Sequence, residues 1–266
     1  RQIPGPWRLT KWVKNGFPPS YIFSEEHGNE GSCPQEKEIT QLLSEIIDET
    51  ENVHVFIEHF VHGDDVFNTD KKLQEACSIK SDNSVLNNLR TCLEVMRIKR
   101  SDKRDNVHFV DPRTDLVAIL PGGGVHKSIQ FHTKHLIENG ENDTVLLTLY
   151  EAYIHPLQSL FPDKLVPSGR LSGSIQKAKE IMTNEQRTVF DIVWKRDVIG
   201  KISELTSEFR RMQNNVDVSL STVQNLYILY RDMTNKFLDT WLLSHLFIAQ
   251  NNQMSASVIY LGSLHS

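Results

Sequence analysis

The chain has 266 residues, 39% of them hydrophobic and 24% charged, enough to bury a core in one large domain or two small ones. Its formal net charge of −5 excludes a global basic field of the kind that holds nucleic acid, so no nucleic-acid partner is expected. The absence of any run of about 18 apolar residues excludes a transmembrane helix and suits a soluble, cytoplasmic or virion-associated protein.

Residues 1–20 read as an irregular arm, punctuated by Pro4, Pro6, Pro18 and Pro19 and pinned by Trp7 and Trp12. Residues 21–266 read as a single α/β domain. Its first strand is the apolar run Tyr21-Ile22-Phe23, which stops at Ser24-Glu25-Glu26-His27-Gly28. Ile39, Leu42, Leu43, Ile46 and Ile47 then recur at helical spacing. Val53-His54-Val55-Phe56-Ile57 is a second strand, rich in β-branched and aromatic residues and stopping at Glu58. Strand, helix, strand is the order of a parallel βαβ unit.

Residues 64–104 read as polar and helical, with a stripe of Leu86, Leu89, Leu93 and Met96. Val107-His108-Phe109-Val110 is a third strand, ending at Asp111-Pro112-Arg113, and Leu116 to Leu120 reads as a further short one. The second half is mostly helical, over 143–160, 183–213 and 218–249, with a loop at 162–175. Ser257 to Gly262 forms a last strand before Ser263-Leu264-His265. The predicted fold is therefore α/β, a small, mainly parallel sheet flanked by helices with a large helical second half.

Four of these strands end on ionisable groups: Glu25 and His27, Glu58, Asp111 and Arg113, and His265. Ligands of open parallel sheets bind outside the carboxyl ends of the strands. Any one such residue is polar simply because the chain leaves the core there. Repetition over four strands points to a site for general acid–base chemistry or a metal.

Ser24-Glu25-Glu26-His27-Gly28 after a strand resembles the Gly-Glu-x-His motif of a superfamily that includes erythromycin esterase-like enzymes, ChaN-like haem-binding lipoproteins and TIKI metalloproteases. Glu58 resembles that superfamily's second motif, and Val258 to His265 its late strand-Gly-x-x-His motif. Asp111-Pro112-Arg113 is similar to an Asp-x-Arg found in large-DNA-virus members. Ser24 stands where the motif usually has glycine.

The resemblance implies a hydrolase acting on an ester or peptide bond of a small-molecule or peptide substrate. Glu25 or His27 would be the general base, Glu58 its orienting group and His265 the completing residue. Asp111 and Arg113 would bind substrate, with Arg113 stabilising an oxyanion. A divalent metal on two or three of Glu25, His27, Glu58 and His265 is an alternative, and haem is another. A non-catalytic viral structural, interaction or ligand-carrying protein on the same fold is the competing class.

Other signals read as structural. Gly122-Gly123-Gly124-Val125-His126-Lys127-Ser128 has His126 where a phosphate loop needs glycine, and reads as a flexible loop opening a helix. His126, His132 and His135 read as solvent-facing, and His54, His59, His62 and His108 as core or rim histidines with satisfied hydrogen bonds. The run Arg97 to Arg104 reads as a solvated helix end, and the stripe at 226–248 as helix packing. Cys33, Cys77 and Cys92 fit neither a disulfide framework nor a zinc site. They read as reduced thiols, or in an exported chain as one bridge and one free thiol.

Overall fold

The strands collect into one five-stranded sheet in the order β1-β2-β5-β3-β4, seen in a computed structural model that describes residues 8–25, 46, 50–60, 106–111, 123–161, 169–215 and 218–262. The strands are β1 (Arg8–Trp12), β2 (Ser20–Glu25), β3 (Val53–Phe60), β4 (Val107–Asp111) and β5 (Ala256–Gly262). β2, β5, β3 and β4 run parallel, and only β1 is antiparallel, against β2. The last strand of the chain thus becomes the centre of the sheet. A small, mostly parallel sheet with a helical second half is the architecture expected from the sequence.

Three local expectations need correction. The supposed irregular arm contains β1, because Arg8 to Trp12 lies between its prolines and so keeps its N–H groups for pairing with Ser20 to Ser24. β3 does not stop at Glu58: it runs on to Phe60, opposite Asp111, through a bulge after Ile57. The supposed loop at 162–175 is overtaken by a helix from Gly169, because Ile175, Ala178 and Met182 recur at three and four residues and are buried. The helix expected over 39–47, the polar helical stretch 64–104, the strand at 116–120 and the three cysteines lie outside the described residues.

The chain divides into two compact units, one of Arg1–Asp111 with His245–Ser266 and one of Pro112–Ser244. The second is helical: α1 (Gly123–Glu138), α2 (Asn142–Leu149), α3 (His155–Leu160), α4 (Gly169–Ile181), α5 (Asn184–Val193), α6 (Gly200–Asn215) and most of α7 (Leu220–Asn251). Its core takes Leu226, Met233 and Phe237 from α7 together with Phe190, Trp194, Val198 and Leu205. The Trp194 ring meets Phe190 and Phe237, each at 5.8 Å between centroids. The stripe at 226–248 is therefore helix packing. Thr183 caps α5 in a capping box with Gln186.

A π-helical turn, Tyr150–Ile154, joins α2 to α3, with the His155 N–H bonded to the Tyr150 carbonyl. Its cause is Pro156, which has no N–H for Ala152 and whose ring crowds that carbonyl, so the turn widens. Tyr153 in this turn is 1% exposed and lies 4.8 Å from the ring of Tyr230.

Burial, and secondarily Tyr227, push the Tyr153 phenol well above its ordinary ionisation range. A phenol that stays neutral when folded but ionises when unfolded contributes stability fully present below pH ~10 and lost as pH rises through the folded value, by about 1.4 kcal/mol per pH unit. Urea midpoints at rising alkaline pH are therefore expected to fall less steeply for Tyr153→Phe than for the wild type. Equal slopes would show that the phenol does not govern alkaline stability.

Candidate functional site

Parallel strands buried on both faces ordinarily read as continuous apolar runs. Here both faces are buried, but only one is apolar. Val53, Val55, Ile57, Val107, Val258 and Tyr260 alternate onto one face. The other face carries Phe56, Val110, Ile259 and Leu261 among polar residues: Ser20 and Ser24 from β2, His54 and Glu58 from β3, His108 from β4 and Ser257 from β5. All of these but His108 are buried, and His108 is half-buried. A buried polar side chain costs free energy unless it is paired, so a polar face under cover requires a reason.

Part of that reason is pairing. Ser257 Oγ donates to Ser20 Oγ at 2.8 Å across β5 and β2. On the β3–β4 side, His54 Nδ1 and His108 Nε2 are 2.8 Å apart. The two ring planes differ by 14° and their centroids are 5.1 Å apart, about the N···N contact plus one ring radius at each end. The rings therefore meet edge to edge, nearly coplanar, in one straight hydrogen bond. One nitrogen must carry a hydrogen and the other a lone pair, so both rings cannot present N–H to that contact. Phe56 stacks on His108 at 4.5 Å, and His245, in the last turns of α7, meets His108 edge-on at 5.8 Å. His54 and His108 are thus core histidines with a satisfied hydrogen bond, as their sequence setting suggested. Their pairing was missed; the signal was the same opening, Val53-His54 and Val107-His108, on two parallel strands.

Towards the C-terminal edge the pairing changes. Ser24 is level with Leu261 on β5, and Glu58 follows Ile57, the partner of Tyr260. Ser24 and Glu58 are each 2% exposed. The Ser24 hydroxyl has no hydrogen-bond partner among the described residues. Glu58 lies within the β3 bulge between Ile57 and Phe60, and such irregularities re-aim side chains beside sites.

Of the residues expected at the site, Glu25 ends β2 in register with Gly262, Glu58 lies in β3, and Asp111 ends β4 opposite Phe60. Glu25 and Asp111 are strand ends and Glu58 lies two residues short of one, all towards one edge of the sheet because β2, β5, β3 and β4 run parallel. His27, Arg113 and His265 lie outside the described residues, as does His62. Among the described residues no three His, Cys, Asp or Glu side chains are arranged to hold a metal ion. The donors whose side chains are described therefore do not by themselves form a metal site. His132 and His135 are exposed on α1, and His135 is hydrogen-bonded to Asn139 at 2.7 Å.

The unpartnered Ser24 hydroxyl makes a stability prediction. Converting the Ser24 hydroxymethyl group to a methyl deletes the buried hydroxyl and its desolvation cost, so Ser24→Ala is expected to stabilise the fold by about 1 kcal/mol. That corresponds to roughly 2–4 °C in Tm for a chain of this size. A lower Tm would mean that the hydroxyl is paired in solution.

No family model matches the chain, and no curated protein or solved structure matches it.

Proposed function

We propose that the chain is a hydrolase of the erythromycin esterase, ChaN and TIKI type, cleaving an ester or peptide bond at the C-terminal edge of its sheet. The observation that carries this reading is the one-sided burial of polar groups, which places a buried carboxylate, Glu58, and a buried hydroxyl with no partner among the described residues, Ser24, towards that edge. Glu25 at the end of β2, Asp111 at the end of β4 and Glu58 near the end of β3 lie towards this edge, and His265 follows β5 by three residues.

In the proposed reaction Glu25 or His27 takes a proton from water as its oxygen attacks the carbonyl carbon. Glu58 orients that base. The carbonyl oxygen becomes an oxyanion facing Arg113, and the C–O or C–N bond then breaks as the proton passes to the leaving group. Asp111 contributes to substrate binding, and His265 completes the donor set.

The test is hydrolysis of chromogenic esters and of a peptide library by wild type and Glu58→Gln, with the metal content of each measured beside it. Turnover by wild type that collapses in the variant supports the reading. Stoichiometric metal in wild type, lost in the variant, would assign the metal-assisted form. No hydrolysis of either substrate class by wild type would overturn the hydrolytic reading in favour of a ligand-carrying or viral structural role.

A further inference from the structure

We propose that the β1–β2 hairpin is a docking tip for an anionic phospholipid surface. Every residue from Lys11 to Phe17 is exposed, including Trp12 at 45%, Val13 at 64% and Phe17 at 41%. Large apolar side chains scattered singly over a surface are ordinary, but three gathered on one turn mark an interaction site.

The turn is held in shape. The Phe17 N–H donates to the Lys14 carbonyl at 3.0 Å, Gly16 takes φ +82°, and Pro18 and Pro19 lead into β2, where Trp12 pairs with Ser20. The apolar tip is therefore displayed without an ordering cost at binding.

Charge selects the partner. Residues 1–20 contain Arg1, Arg8, Lys11 and Lys14 and no acidic residue, in a chain whose net charge is −5. The overall charge thus conceals a local cationic segment, and its lysines flank the apolar tip. Trp beside Lys, with an exposed aliphatic residue next to them, is the composition that settles at a lipid headgroup interface, where apolar burial and attraction to anionic lipid add.

Single-stranded nucleic acid also selects cations and aromatics, but it needs free ring faces on which bases stack. Here the Lys14 ammonium lies 5.2 Å over the Phe17 ring, the Lys11 ammonium 5.5 Å over the Tyr21 ring, and Trp12 meets Phe17 edge-on at 6.1 Å. A bilayer interface accepts this packed cluster as it stands.

The test is co-sedimentation of the full chain with vesicles of phosphatidylcholine alone or equimolar with phosphatidylserine, at low and high salt, beside a labelled single-stranded oligonucleotide. Binding is expected to the anionic vesicles only and to weaken with salt. Lys11→Gln with Lys14→Gln is expected to reduce partitioning by roughly tenfold or more, from about 1 kcal/mol per cation. Val13→Asp is expected to reduce it comparably while leaving the thermal melt unchanged, since Val13 is the most exposed of the three. Equal binding to both vesicle types, unaltered binding by Val13→Asp, or binding to the oligonucleotide but not to vesicles would each overturn the proposal.

Discussion

Replacing Glu58 by Gln is expected to lower the turnover of a hydrolysed ester or peptide by about 10²–10⁴-fold, the range over which a positioned acid–base system acts. Gln keeps the length, the planar end and one acceptor oxygen, while it turns the other oxygen into an N–H donor group and removes the carboxylate's capacity to take charge. If Glu58 orients the base of the reaction, kcat and kcat/KM fall together while KM holds, because the lost interaction is one made in the transition state. A purely structural Glu58 would behave otherwise: the variant would lose stability and retain its kinetics per folded molecule. Measuring the urea midpoint beside the kinetics separates the two. Full activity of Glu58→Gln in a folded protein would remove Glu58 from the mechanism and leave the polar face without a catalytic carboxylate whose side chain is described.

The strands were legible because each is a short β-branched or aromatic run bounded by polar residues, and three strand ends fell within two residues of expectation. β1 was not. Arg8-Leu9-Thr10-Lys11-Trp12 sits among prolines that signal irregular chain, and only its partner β2 makes it a strand. The central place of β5 was equally hidden, since local patterning says nothing about which distant segments pair.

The candidate site was legible as a set of residues at or near strand ends but not as a face. Glu25, Glu58 and Asp111 were singled out by position, whereas the departure at Ser24 gains meaning only from burial. A serine where the resembled motif has glycine places a hydroxyl under cover with no partner among the described residues. The histidine pair was illegible for a related reason. His54 and His108 are 54 residues apart, and a two-strand register decides whether their rings touch.

That pair sets the second large expectation, in a double-mutant cycle. His54→Leu removes a buried ring 3% exposed and takes from His108 Nε2 its partner at 2.8 Å, so it is expected to cost about 2–3 kcal/mol. His108→Leu leaves His54 in the drier position of the two with one nitrogen stripped of the same contact, and a comparable loss is expected. The double variant leaves no stranded nitrogen, and its cost is expected to fall short of the sum of the singles by about 1 kcal/mol or more. Urea unfolding of the four proteins at constant m-value measures this. Strict additivity would mean that the contact between the two rings contributes nothing to stability.

The cycle also bears on Ser24 and Glu58, because it calibrates what a buried polar group on this face does when it is kept for the fold. Removing one member of the imidazole pair should destabilise. Removing the Ser24 hydroxyl should stabilise, and neutralising Glu58 should cost turnover. Opposite signs at the two ends of one face would separate the polar groups kept for the fold from those kept for chemistry at the edge where the parallel strands end.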